Sequence, residues 1–310
     1  MIGCAGRGLR TRVVAMISRT VAAGAGIAGA LTVAALLLAG ADRSGAASAD
    51  QPAAAAVGEA RAGALTVALP GATADRIYAA PTAVGRPIVV IDPGHGGTDP
   101  GATSVSGQVH EKDLTLALAR ELRDLLVERG RVRVAMTRND DRYLTLDERA
   151  AVAQRLGAST FVSLHMDSAP NPLARGATIY SLSDIASDAD SARAAAAENR
   201  GGAVQAESNS VTAMLSDLAT RDQMNASAEF AARVAAKSAG RVELRPQPHR
   251  FADFHVLRRA AAPAILFEAG YISNADDEVM LRDPQHRKAI VLALAQAIEA
   301  DVATHSRVES

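Results

Sequence analysis

The sequence predicts an α/β fold: a single domain on a mainly parallel, twisted sheet with helices on both faces. Three observations carry this reading. The apolar runs Ile88-Val89-Val90-Ile91, Phe161-Val162-Ser163-Leu164 and Ala264-Ile265-Leu266-Phe267 have the length of strands buried on both faces. Between them lie stretches of helical period. In 111–129, Leu114, Leu118, Leu122, Leu125 and Leu126 recur at steps of three and four. The alternation continues from Arg86 to His305, about 220 residues, enough for one sizeable core.

Taken in order, residues 1–49 read as an export signal. Arg7, Arg10, Arg12 and Arg19 give a positive start, an apolar stretch follows from Val21 to Gly40, and Ala47-Ser48-Ala49 fits a small-residue cleavage site. The stretch is about 20 residues, long enough for an uncleaved anchor. Its Ala and Gly content and the cleavage site favour removal, which leaves no stable membrane span. Residues 50–85, rich in Ala, Gly and Pro, read as a linker with one short strand at 64–69. The domain proper is 86–305. Strands are expected at 87–91, 131–137, 159–164, 176–181 and 263–268, and helices at 111–129, 145–157, 225–239 and 283–303. Residues 184–224 break the rhythm with a polar, Ala-rich insertion. A helix is expected there over Ser191–Asn199, and a second amphipathic stretch over Val211–Leu218. An insertion of this size in a compact domain is a lid, a binding element or disorder.

Composition excludes several functions. The single cysteine, Cys4, precedes the apolar stretch, so the exported chain has no thiol, disulfide or cysteine metal site. Removing 1–49 leaves 28 basic against 33 acidic residues, a net charge of about −5, and no nucleic-acid partner is expected. Trp is absent and aromatics are only 3% of the chain, which argues against a sugar groove lined with stacking rings.

Any metal must therefore be held by His and carboxylates. His95 sits in the Pro93-Gly94-His95-Gly96-Gly97 turn after the first apolar strand, and Glu111 opens a helix. His165 and Glu268 end the second and third strands. In open α/β sheets ligands bind at strand ends, and two imidazoles with a carboxylate make a catalytic zinc set with one position open. Glu268 is costly to bury unless paired or functional. Each residue also has an ordinary structural reading. The Gly-rich turn could cradle a phosphate, Glu111 could favour the helix dipole, and His165 could be a satisfied sheet histidine. Glu268 could cap a turn or pair with Arg258 or Arg259. Spacing alone leaves these open.

Longer motifs surround these residues: Val90-Ile91-Asp92-Pro93-Gly94-His95-Gly96-Gly97 with Asp99 and Gly101-Ala102, Glu111-Lys112-Asp113-Leu114, Met136-Thr137-Arg138, and Leu146 with Arg149. Val162-Ser163-Leu164-His165 and Glu268-Ala269-Gly270-Tyr271-Ile272-Ser273-Asn274 complete the set. Through them the chain resembles the zinc-dependent N-acetylmuramoyl-L-alanine amidases of the amidase-3 type, from about Pro87 to Ile298. The resemblance implies one Zn2+ held by His95, Glu111 and His165, with Glu268 as catalytic base. It implies a peptidoglycan substrate, a periplasmic location and a role in wall remodelling and daughter-cell separation. Asp167 stands where the family usually has Asn, and Met166 replaces a smaller residue. Asp167, Asp99 and Arg149 are expected beside the ligands or the substrate. His110, His249 and His255 match no ligand position, and His255 is expected nearest the cleft.

The insertion resembles that of Gram-negative cell-division amidases, in which a helix occludes the zinc until an activator with a LytM-type domain displaces it. Met214, Leu215 and Leu218 are the expected docking face, and Glu198 or Glu207 the carboxylate that closes the open position. Three rival readings remain at this point. One is a zinc peptidase cutting within the stem peptide, another a non-catalytic wall-binding module. The third, a phosphate-binding protein, leaves Glu111, His165 and Glu268 unexplained.

Overall fold

The computed structural model describes residues 75–200 and 211–305, with backbone alone for 211–216. All of them lie in a compact unit spanning 67–310. The expected export signal, the strand at 64–69 and Glu207 fall outside the described residues. The sheet has seven strands: β1 (Ile77–Tyr78), β2 (Ile88–Pro93), β3 (Arg133–Met136), β4 (Thr160–Asp167), β5 (Ala177–Leu182), β6 (Leu244–Ala252) and β7 (Ala264–Tyr271). Their order is β1-β3-β2-β4-β7-β5-β6. The pairs β2–β3, β2–β4, β4–β7 and β5–β6 are parallel, while β1–β3 and β5–β7 are antiparallel. The sheet is thus mixed, though mostly parallel.

The helices are α1 (Glu111–Arg129), α2 (Leu146–Leu156), α3 (Ala189–Glu198), α4 (Val211–Ser238), α5 (His255–Arg259), α6 (Ala275–Arg282) and α7 (Pro284–His305). Their ends follow local chemistry. Helix α1 starts with Glu111 and Asp113 in its first turn and stops at Gly130, whose φ of 64° is open to glycine at little cost. Helix α2 carries a capping box: Thr145 accepts from the Glu148 amide, and the Glu148 side chain accepts from the Thr145 amide. Asn274 caps α6 by accepting from Asp276 and Asp277.

Strand alternation then sorts side chains to two cores. On one face Val89, Ile91, Val162, Leu164, Ile265 and Phe267 pack beneath α1, α4 and α7. Leu118, Leu122 and Leu126 lie fully buried along one stripe of α1, each worth roughly 1.5–3 kcal/mol of burial. On the other face Val90, Phe161, Leu266 and Tyr180 pack under α2, α5 and the alanines of α3. The C-terminal ends of the central strands β2, β4 and β7 therefore share one edge, and that edge positions the site.

Four expectations need correction. Residues 77–83 of the expected linker form β1 and a short 3-10 turn. Strand β6 carries Pro246 and Pro248, which in the sequence argue against a strand. They are tolerated because β6 lies at the sheet edge, paired on one side only. The stretch 211–218 and the helix at 225–239 are one helix, α4, so the insertion boundary at 224 falls inside a continuous element. Leu218, expected to dock, is exposed.

Candidate active site

The turn after β2 places His95 in the left-handed region, φ 58°. For a residue with a side chain this costs on the order of 1–2 kcal/mol, and such strain clusters at functional sites. Two fully or nearly buried arginines hold the turn. Arg149 Nη1 donates to the Pro93 carbonyl and Asp92 Oδ1, at 2.7 and 2.8 Å, and its Nη2 donates to the His95 carbonyl at 2.7 Å. Arg138 donates to the carbonyls of Pro93, Gly94 and Lys112. Burial, with the charge of Arg149 beside it, pulls the Arg138 guanidinium down to about 10. Asp92 accepts from Thr137, Arg149 and Ser163. Burial opposes its charge, but these donors and the guanidinium hold its carboxyl below the ordinary range. Arg149 thus supports the His95 turn from within. Arg138, equally engaged, ends the Met136-Thr137-Arg138 motif, where nothing in the sequence alone marks it as holding the turn.

Glu111, at the first position of α1, is fixed from two sides. Its Oε2 accepts from the Ala102 amide and its Oε1 from the Met166 amide, both at 2.9 Å. His165 comes from β4, in register with Glu268 on β7. The structure brings His95, Glu111 and His165 together, and Glu198, the last residue of α3, joins them. One ligand atom from each of the four lies within 4.8 Å of the others. His95 Nε2 is 3.1 Å from Glu111 Oε2 and 3.4 Å from Glu198 Oε2. His165 Nδ1 is 3.1 Å from Glu111 Oε1 and 3.0 Å from Glu198 Oε2.

These residues fit a divalent cation. Two neutral imidazoles and two carboxylates carry a charge of −2, which a dication balances. His95 Nε2 is buried without an aligned hydrogen-bond partner among the described residues, as expected of a lone pair aimed at a common point. Its Nδ1 lies 2.8 Å from Asp99 Oδ2, the second contact that orients metal-binding histidines. The proton equilibria show the same negative field. Burial disfavours charge on His165, yet Glu198 and Glu111 hold its imidazolium up at about 9. Burial likewise opposes charge on His95, and Glu111, Asp99 and Glu198 outweigh it.

Glu268 stands beside this cluster, buried, with Oε2 lacking a partner among the described residues. The arginines considered as its partners are engaged elsewhere. Arg258 pairs with Asp253 and Asp184, and Arg259 with Asp147. Burial, and then the charges of Asp167, Glu198 and Glu111, push the Glu268 carboxyl well above the ordinary range. Asp167 is buried too and accepts from the Ser168 amide at 2.7 Å. The adjoining cleft, about 910 Å3, is lined by His95, Glu111, Asp167, Arg193, Glu198 and Glu268. His110 precedes α1 and contacts Thr103, and His249 bonds Ser181. The His255 amide donates to Asn199, the residue after Glu198.

Close packing makes the turn intolerant. A Cβ on Gly94 would lie 2.3 Å from His165 Cε1. Gly94→Ala is expected to displace that imidazole and weaken divalent-metal uptake roughly tenfold or more. Metal titration followed by mass analysis, with circular dichroism as a folding control, checks this. Full metal affinity in a folded variant would contradict the placement of His165.

The model of a family described as N-acetylmuramoyl-L-alanine amidase matches residues 89–300. The chain is 31% identical to the N-acetylmuramoyl-L-alanine amidase AmiA of Escherichia coli (strain K12) over 220 residues, covering 69% of this chain and 75% of that protein. It is 32% identical to AmiC of Escherichia coli O6:H1 over 231 residues, 72% of this chain but 55% of the relative. It therefore spans about half the length of that relative. Among solved structures, the catalytic domain of CwlV, an N-acetylmuramoyl-L-alanine amidase from Bacillus (Paenibacillus) polymyxa var. colistinus, superposes with a TM-score of 0.51 at 27% identity. That match covers 69% of this chain and 97% of the other. An amidase of the same description from Clostridium difficile 630 shares the fold, with a TM-score of 0.53 at 24% identity, over 69% of this chain and 96% of the other.

Proposed function

The chain belongs to the N-acetylmuramoyl-L-alanine amidase family, hydrolases of peptidoglycan, and from that premise we propose that it cleaves the amide between N-acetylmuramic acid and L-alanine with the help of one zinc ion. The observation that carries the proposal is the convergence of His95, Glu111 and His165 beside a buried Glu268, whose Oε2 has no partner among the described residues. His95, Glu111 and His165 would hold the ion, and a mixed His and Glu donor set suits zinc. Zinc supplies a water of lowered pKa and polarisation of the scissile carbonyl.

The chain's own groups do the rest. Glu268 takes a proton from the attacking water and returns it to the leaving amine, the general-base and then general-acid role of a carboxyl with a raised pKa. Asp99 holds the His95 ring through Nδ1, and Arg149 and Arg138 fix the loop behind it. Residues 1–49 act as an export signal in this reading, which would deliver the catalytic domain to the periplasm for wall remodelling and cell separation. No helix among the described residues is long and apolar enough to cross a membrane.

Glu198 lies against His95 and His165, so beside a bound ion it would take the position that a water or the scissile carbonyl needs. Helix α3 is accordingly an autoinhibitory element, released by an activator of the LytM-domain type. Its docking does not use Leu218. It uses Ala194 and Ala195, which are buried, and the Asn199 side chain, which donates to the Asp253 carbonyl.

Digestion of purified peptidoglycan tests the reaction. Mass spectrometry should show intact stem peptides freed from sugar, and removal of zinc by a chelator should abolish their release until zinc is restored. Because the imidazoles must be unprotonated to bind metal, zinc loss should become easier as pH falls. Cleavage products within the peptide would instead identify a peptidase.

A further inference from the structure

Helix α3 covers a row of polar groups that it leaves only partly satisfied. On the α3 side of the sheet Glu268 is in register with Thr178 on β5, and Tyr180, two residues on, is in register with Arg250 on β6. Thr178 Oγ1 and the Tyr180 hydroxyl are buried and have no partner among the described residues. The residues that α3 buries, Ser191, Ala194 and Ala195, do not supply one. The Ser191 hydroxyl is spent on Asp188. Unpaired buried hydroxyls are costly, so this cover is a poor match for what lies beneath it.

The far end of the row is cationic. Arg250 pairs with Asp188 and Arg245 with Asp190, both at the start of α3. Arg245 also donates to the Tyr271 hydroxyl. The helix therefore sets Glu198 at the ligand cluster and two carboxylates on two arginines. Its 10 residues span ~15 Å. Crossing from β4 to β6 takes three interstrand spacings, ~14 Å. An extended peptide of four residues reaches about 13–14 Å.

We propose that Thr178, Tyr180, Arg245 and Arg250 form the subsite for the leaving peptide of the substrate, an acidic peptide of three to four residues whose carboxylates Asp188 and Asp190 imitate in the closed state. The direction follows from chemistry. Glu268 returns its proton to the leaving amine, and Glu268 lies between the ligand cluster on β4 and the row on β5 and β6. The peptide beyond that amine must run the same way. This inference rests on the reading of α3 as a displaceable cover.

The test uses the full-length, zinc-loaded chain carrying Asp188→Ala, Asp190→Ala and Glu198→Ala, which frees the helix. Calorimetry with the peptide Ala-Glu-Ala-Glu and its counterpart Ala-Gln-Ala-Gln reads the subsite directly. The released variant should bind the acidic peptide at least tenfold more tightly than wild type and at least tenfold more tightly than the neutral peptide. Adding Arg245→Gln and Arg250→Gln should erase that preference and raise KM for peptide-bearing substrate about tenfold, with kcat within twofold, while lysine at both positions should restore part of it. Thr178→Val, nearly the same shape, serves if the arginine variants do not fold, and should raise KM alone. A released variant that hydrolyses faster but binds both peptides equally overturns the subsite and leaves the autoinhibition reading intact. A release that changes neither hydrolysis nor binding overturns both.

Discussion

Replacing Glu268 with glutamine is expected to lower kcat by roughly 10²–10⁴-fold, the span of a lost general base, with zinc content unchanged. The substitution keeps shape and removes only the ability to carry a proton. The carboxyl is nearly inaccessible, and its Oε2 has no partner among the described residues. A buried carboxylate with one oxygen left unpaired is poorly explained by stability, because its burial is costly. Burial, with Asp167, Glu198 and Glu111 nearby, raises its proton affinity, and His95 only partly opposes this. The pH dependence follows in sign. The base works when ionised, so kcat/KM should rise with pH as the carboxyl loses its proton, and the raised affinity places that rise above the ordinary glutamate range. Asp167→Asn removes the strongest neighbouring charge acting on Glu268 and should shift the rise to lower pH. Stopped assays from pH 4 upward, at saturating zinc, would show it. A glutamine variant within a few-fold of wild type would remove Glu268 from the mechanism.

What the sequence revealed and what it hid have physical causes. Strands β2, β4 and β7 are buried on both faces, so their apolar runs are plain, and His95, His165 and Glu268, at or near their ends, come with them. Strand β6 was hidden because an edge strand needs bonds on one side only and can carry Pro246 and Pro248. Helix α4 looked like two short pieces because its first half faces outward in part, as the exposure of Leu218 shows. Glu198 and Glu207 looked alike in sequence. Only the placement of α3 distinguishes Glu198, which converges on the two histidines, while Glu207 lies outside the described residues. Arg245 and Arg250 gave no signal at all, since an arginine on a polar strand reads as a solvated face until its partner on another element is known.

Glu198→Ala is expected to raise basal hydrolysis by about ten- to a hundredfold without activator, provided zinc is saturating. The size comes from how α3 is held. Its apolar burial rests on two alanines, Ala194 and Ala195, so apolar contact contributes little and the polar contacts at its ends dominate. Burial disfavours the Glu198 carboxylate, but His165 and His95 hold its carboxyl well below the ordinary range. Losing a contact worth about 1.4–3 kcal/mol shifts a closed population roughly 10–150-fold toward the open one. A weaker gain would mean that Asp188–Arg250 and Asn199 suffice to keep the helix down, and combining Glu198→Ala with Asn199→Ala would then complete the release. Deletion should be confined to 189–199. A cut extending to residue 220 would enter α4, whose Phe230 and Val234 are part of the main core, and would confuse loss of fold with loss of control. Saturating zinc matters because Glu198 would also help balance the charge of a bound dication, so its removal weakens metal binding while it opens the site. If a zinc-replete Glu198→Ala enzyme hydrolyses peptidoglycan no faster than wild type, the carboxylate is a permanent fourth ligand and the helix a fixed wall of the cleft.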